Sequence, residues 1–230
     1  MGNLIIFDFD GVIADSEILA NTVLAEAITE LGVPTTLNDA YRLYMGKRLA
    51  DVITSIEVKL GRALPRDFPA EFQARTLARF QKELRPVDGV YDYIDAFAHI
   101  PRCIASSSSP ERLSVCLKIL RLEKAFGLHV YSASNVPRGK PHPDLFLHAV
   151  EKTGTKASQA IVIEDSTSGV QAGVAAGMKV VGLLAASHIQ DGHEERLRKA
   201  GAHFIARSYI DVESITRDLL TNDSRPCSPE

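Results

Sequence analysis

Groups able to do chemistry stand where short apolar runs stop. Leu4 to Phe7 leads directly into Asp8, Phe9, Asp10 and Gly11, and Ala160 to Ile163 leads into Glu164 and Asp165. Cys103 to Ala105 leads into Ser106, Ser107, Ser108 and Ser109. In open α/β sheets the carboxyl ends of the strands are where ligands bind. Carboxylates from two strand ends would repel one another in a shared cleft, unless they surround a hard, oxygen-preferring divalent cation such as Mg²⁺. Lys140 lies between Arg138 and Asp144, where Pro141 and Pro143 stiffen the chain before a helix. A cation, a lysine and a serine-lined helix start together suit a phosphoryl group, whose oxygens need compensation while a nucleophile attacks in line. In that chemistry Asp8 is the nucleophile and Asp10 the general acid and base. Ser106 offers its hydroxyl and nearby N–H groups to the anion, with Ser107 beside it toward the substrate.

Each part has an ordinary role as well. Asp8 and Asp10 serve as turn formers, with Gly11 supplying positive φ. Ser108 with Glu111 forms a capping box ahead of a helix through Leu113, Leu117 and Leu120, with Pro110 in its first turn. Lys140 alone is a solvated loop charge. The combination is far more specific than its parts. His142, His148, His188, His193 and His203 show no metal-ligand spacing, and Cys103 reads as core strand rather than nucleophile.

The elements that must position these groups follow from periodicity. Apolar runs at Leu4 to Phe7, Cys103 to Ala105, Ala160 to Ile163 and Val180 to Leu184 alternate with amphipathic stretches, which favours an α/β fold, a parallel sheet covered by helices. Weaker strands are expected at Leu128 to Tyr131 and His203 to Ile205. From Asp15 to about Leu84 the apolar positions fall at helical spacing, as in Leu19, Val23, Leu24 and Ile28, which predicts an all-helical insertion. Gly32 with Pro34 ends its first helix, and Pro65 and Pro69 punctuate its later half. The expected organisation is a discontinuous core of residues 1–14 and 85–220, a helical block of residues 15–84 and a disordered tail of residues 221–230.

At 230 residues with 45% hydrophobic and 24% charged side chains, the chain has material for a sizeable core, which excludes a disordered protein. Twenty-six basic and 29 acidic residues leave a net charge of −3, so no global positive field favours nucleic acid or an anionic membrane. Three cysteines, an odd number without close spacing, fit a reducing cytoplasm better than a disulfide framework. The apolar run Leu4 to Phe7 is too short for a signal-peptide core or a membrane span. The expected partner is a small molecule, met by a monomer or weak dimer.

With these residues in view, the sequence resembles the haloacid dehalogenase-like superfamily, in the branch of β-phosphoglucomutase and the small sugar phosphate phosphatases. The first family motif, DxDG(T/V), reads as Asp8 to Val12, and the second, an apolar strand ending in Ser or Thr, as Cys103 to Ser106. The motif lysine falls on Lys140 within GKPHPD, and the acidic metal motif on Glu164 and Asp165 within IVIEDSTSG. The resemblance implies a Rossmann-like core with a helical cap inserted after the first motif, and chemistry through an aspartyl phosphate. It implies Mg²⁺ held by the Asp8 carboxylate, the Asp10 backbone carbonyl and Asp165, with Glu164 nearby or ligating through water.

The resemblance also separates branches. Dehalogenases do not keep the second aspartate, so Asp10 speaks for phosphate chemistry. The β-phosphoglucomutase pattern has a histidine five residues after the aspartate that ends the first loop; here that aspartate is Asp15 and the later residue is Ala20. Specificity is assigned to Gly46, which allows a tight turn, and to Lys47 and Arg48, which face a polar or anionic substrate unless they are merely a solvated helix end. The expectation is a Mg²⁺-dependent phosphatase of a small phosphorylated metabolite, a sugar or sugar acid phosphate. The alternatives are a phosphosugar mutase and a non-catalytic phosphate-binding or interaction module. Intact Asp8, Asp10, Lys140 and Asp165 weigh against the module, since a scaffold has no need of a crowded acidic site.

Overall fold

The computed structural model describes residues 3–44 and 49–222. The first strand, β1 (Leu4–Phe7), is buried at every position, as a strand covered on both faces must be. Leu4 and Ile6 join a core containing Cys103, Ala105, Leu145, Phe146, Val162 and Val180. Phe7, which alternation turns to the other face, meets the rings of Tyr93 and Phe126 edge-on at 5.8 and 5.5 Å.

The chain divides into two compact units, Met1–Asp15 with Pro86–Glu230, and Ser16–Arg85. The described residues of the second form the helices α1 (Glu17–Glu30), α2 (Leu37–Tyr44), α3 (Leu49–Leu60) and α4 (Phe68–Glu83), with turns between α1 and α2 and between α3 and α4. Leu24, Ile28, Ala40, Tyr44, Val52, Ile56 and Phe68 form its own buried cluster. Glu30 and Arg75, from α1 and α4, make a two-pronged ion pair at 2.6 and 2.7 Å.

The first unit continues with α5 (Val90–Ala96), β2 (Arg102–Ser106), α6 (Pro110–Ile119), α7 (Glu123–Phe126) and β3 (Val130–Ser132). It ends with α8 (Asp144–Thr153), β4 (Ala160–Glu164), α9 (Thr167–Ala175), β5 (Lys179–Leu183), α10 (His193–Lys199), β6 (Phe204–Ala206) and α11 (Tyr209–Asn222). The sheet order is β3-β2-β1-β4-β5-β6 with every pairing parallel, so the fold is α/β of the Rossmann-like kind. Strand order reverses between β1 and β4, the switch point at which such sheets open a crevice beyond their carboxyl ends.

Three expectations shift in detail. The third strand begins at Val130 rather than Leu128 because Leu128 is 95% exposed and has no core to face. Likewise β6 runs from Phe204 to Ala206, and His203 precedes it. Thr221 and Asn222 extend α11 into the stretch read as tail, where the Thr221 hydroxyl donates to the Asp218 carbonyl at 3.0 Å. Residues 223–230 lie outside the described residues. Among the described residues no helix is long and apolar enough to cross a membrane.

Candidate active site

The register across β1 and β4 pairs Phe7 with Ile163, and the Asp8 N–H extends the ladder by donating to the Ile163 carbonyl at 3.0 Å. Asp8 and Glu164 therefore leave the sheet side by side at the switch point. With Asp165, each offers a carboxylate oxygen within 4.8 Å of the others, and all three are buried.

Glu164 is fully buried and held at both oxygens. Oε2 accepts from the Ser166 N–H at 2.8 Å and the Ser166 hydroxyl at 2.9 Å, while Oε1 accepts from Lys140 Nζ at 2.7 Å. Ser166 also caps α9 by accepting from the Gly169 N–H at 3.0 Å. A side chain at position 169 would collide with the Glu164 carboxylate, so glycine there is a requirement of close approach. Gly11 has the same role for Asp165, and its φ of +79° adds a second reason for glycine.

Lys140 bridges the cluster. Its buried ammonium lies 2.5 Å from Asp8 Oδ1 as well as near Glu164, and 5.0 Å from the centre of the Phe146 ring. Burial alone would lower its pKa, but the two carboxylates outweigh that and hold it above its ordinary value. Burial pushes Asp8 well above its ordinary range; Lys140 opposes the shift, and Glu164 and Asp165 add to it. Three carboxylates against one ammonium leave a formal charge of −3 + 1 = −2 in a buried space. An oxygen-only donor set with a negative formal charge fits a hard divalent cation.

The Asp10 side chain is engaged apart from that cluster. Its Oδ1 accepts from Arg112 at 2.5 Å and its Oδ2 from the Ser108 hydroxyl at 2.5 Å, so both oxygens are oriented from the β2–α6 side. This corrects the capping expectation. The residue that caps α6 is Ser109, with extended backbone and its hydroxyl accepting from the Arg112 N–H at 3.3 Å, ahead of Pro110. Ser108 is drawn instead to Asp10. Ser106 is buried at the end of β2, where its hydroxyl oxygen accepts from the Ser108 N–H at 3.0 Å, and Ser107 is exposed. Gly46, Lys47 and Arg48 lie outside the described residues. Arg138 forms a two-pronged pair with Asp144 at 3.0 and 2.8 Å, which ties the start of α8 to the loop that carries Lys140.

The structure thus brings together Asp8, Lys140, Glu164 and Asp165 and sets Asp10 beside Arg112 and Ser108. Sequence reasoning missed Arg112, whose place on α6 reads as an ordinary surface arginine. It also passed over His188 and His193, which approach Asp165. His188 Nε2 lies 3.1 Å from Asp165 Oδ2, and His193 Nε2 lies 2.6 Å from the Asp165 carbonyl. A search for metal-ligand spacing overlooks both, because their partner is the carboxylate residue.

A fold of this topology with this site belongs to the haloacid dehalogenase-like hydrolases: the family model matches residues 5–183, and the chain is a member. It is similar to 6-phosphogluconate phosphatase of Escherichia coli (strain K12), 25% identical over 80% of this chain and 83% of that protein. It is also similar to the phosphorylated carbohydrates phosphatase of Thermotoga maritima, 29% identical over 94% of this chain and 99% of that one. Among solved structures, a conserved haloacid dehalogenase-like protein of unknown function from Agrobacterium tumefaciens str. C58 superimposes with a TM-score of 0.83, at 32% identity, covering 95% of this chain and 99% of its own.

Proposed function

We propose that the chain is a Mg²⁺-dependent phosphatase of a small phosphorylated metabolite, a sugar or sugar acid phosphate, working through an aspartyl phosphate on Asp8. The observation that carries the reading is Lys140 held between Asp8 and Glu164 in a buried acidic cluster that remains two charges short of neutral. Mg²⁺ would be held by the Asp8 and Asp165 carboxylates and the Asp10 backbone carbonyl, with Glu164 nearby, and would supply positive charge opposite the phosphoryl oxygens.

The chain's own residues do the rest. Lys140 orients Asp8 through Oδ1, which leaves the other carboxylate oxygen to attack phosphorus. As that bond forms, the bond from phosphorus to the ester oxygen breaks, and Asp10 gives the leaving oxygen its proton. Water then attacks the aspartyl phosphate, Asp10 takes the proton from the water, and the bond between phosphorus and Asp8 breaks to release phosphate and restore the carboxylate. Ser108 and Arg112 hold the carboxylate form of Asp10, the form that takes the proton from water. Ser106, at the end of β2, donates to the phosphoryl oxygens, and Ser107 lies toward the substrate.

Specificity is given to Gly46, Lys47 and Arg48, with the helical unit acting as a cap. Replacing Lys47 or Arg48 by Ala should lower kcat/KM for the preferred sugar phosphate by roughly tenfold or more while sparing p-nitrophenyl phosphate, the scale of one charge-assisted hydrogen bond. The names of the phosphatase relatives support a sugar phosphate substrate. The reading is tested by a screen of phosphorylated metabolites for released phosphate, with Mg²⁺ and with chelator. Release from sugar or sugar acid phosphates that chelator abolishes and Mg²⁺ restores is the expected result. Full activity in chelator, or release from none of them, would overturn it.

A further inference from the structure

Two histidines outside the proposed reaction converge on Asp165 by different routes. His188 reaches its side chain, with both groups buried, and packs so closely over Gly11 that a Cβ there would lie 2.9 Å from the imidazole Cε1. His193 reaches its main chain, and the proton arrangement of that contact follows from its third member. Arg196 Nη2 lies 3.0 Å from His193 Nδ1. A guanidinium can only donate, so Nδ1 accepts, Nε2 carries the proton, and His193 donates to the Asp165 carbonyl. The loop that bears His188 is itself tethered, because the Ser187 N–H and hydroxyl donate to Asp15 at 3.2 and 2.7 Å.

These contacts have a physical purpose that Glu164 does not share. Glu164 ends a strand and has Lys140 and Ser166 on its two oxygens, whereas Asp165 stands one residue past the strand. Its carboxylate faces two others, and like-charge repulsion would turn it away. His188 Nε2, 3.1 Å from Oδ2, and the His193 N–H on the carbonyl hold the residue at both ends against that repulsion.

We propose that His188 and His193, the latter set by Arg196, are positioning residues that hold Asp165 in its metal-binding orientation and thereby determine divalent-cation affinity. The inference rests on the reading of Asp165 as a ligand in the proposed phosphatase. Hydrogen-bonding partners of ligating carboxylates are typically worth about 10- to 100-fold in metal affinity.

The test is calorimetric titration of Mg²⁺ into chelator-stripped protein, which reads binding without turnover. His188→Ala and His193→Ala should each weaken Mg²⁺ by roughly 10- to 100-fold, while both melt near wild type in chelator. His188→Gln, whose amide N–H falls near the place of Nε2, should recover most of the affinity, and the shorter His188→Asn should not. Should an alanine variant fail to fold, the Gln and Asn pair decides for His188. The exposed Arg196→Met, which leaves the packing intact, decides for His193 with an expected loss of several-fold. Equal Mg²⁺ affinity across wild type and variants would overturn the positioning role and leave Asp165 as a ligand. A wild-type protein that binds no Mg²⁺ would overturn both.

Discussion

Removing the ammonium that bridges Asp8 and Glu164 is the sharpest perturbation of the site. Lys140→Met keeps an unbranched side chain and takes away the charge that lies over Phe146, so the formal charge of the cluster changes from −2 to −3. At an effective dielectric near 20, one such pair is worth about 4 kcal/mol of attraction at 4 Å. Desolvation offsets part of that, and breaking a buried pair by removing one partner costs about 3–5 kcal/mol. In a chain of this length each kcal/mol lowers Tm by about 2–4 °C. The product is a fall of about 6–20 °C, read by scanning calorimetry in chelator. Adding Glu164→Gln to Lys140→Met returns the cluster to −2 and should restore part of the loss, with a coupling of about 0.5–3 kcal/mol. A Lys140→Met protein melting within about 1 °C of wild type, or a double variant no more stable than the single one, would refute the reasoning.

Asp10→Asn keeps one acceptor, for Arg112, puts an amide NH₂ opposite the Ser108 hydroxyl and removes the acid and base, and phosphate release should fall by about 10²- to 10⁴-fold. Near wild-type turnover would remove Asp10 from the mechanism. With Ala20 in place of the mutase histidine, conversion of β-glucose 1-phosphate to glucose 6-phosphate should not exceed simple hydrolysis, as a coupled assay would report; efficient isomerisation would contradict this. Burial pushes the Cys116 thiol up to about 12, with Arg112 opposing and Asp10 adding, and burial drives Cys103 upward as well. Neither carries useful thiolate at neutral pH, so peptide mapping after iodoacetamide should find both unmodified in the native protein and modified after unfolding.

The parts of the site that sequence made legible are those encoded locally. A β-branched run that stops at a carboxylate places Asp8, Glu164 and Asp165 at strand ends, and the paired prolines mark the loop of Lys140. The alternation of such runs with amphipathic stretches carries the parallel sheet. Contacts between elements far apart in the chain were not legible in the same way. Arg112 meets Asp10 across 102 residues, and that pairing draws Ser108 away from the helix cap and passes the role to Ser109. His188 and His193 reach Asp165 from the loop beyond β5 and the start of α10, a convergence that only the fold of that loop creates. Leu128 shows the reverse error, where an apolar side chain read as strand lies in solvent because local composition carries no record of which face the sheet covers.

The central claim is a phosphoryl group carried by Asp8, and rapid acid quench during turnover of a sugar phosphate, followed by peptide mass spectrometry, tests it directly. The peptide containing Asp8 should gain the mass of one phosphoryl group, lose it on treatment with hydroxylamine, and never gain it in a folded, inactive Asp8→Asn protein. Phosphate release by Asp8→Asn at the wild-type rate, or the phosphoryl group found on a different residue during turnover, would contradict the account.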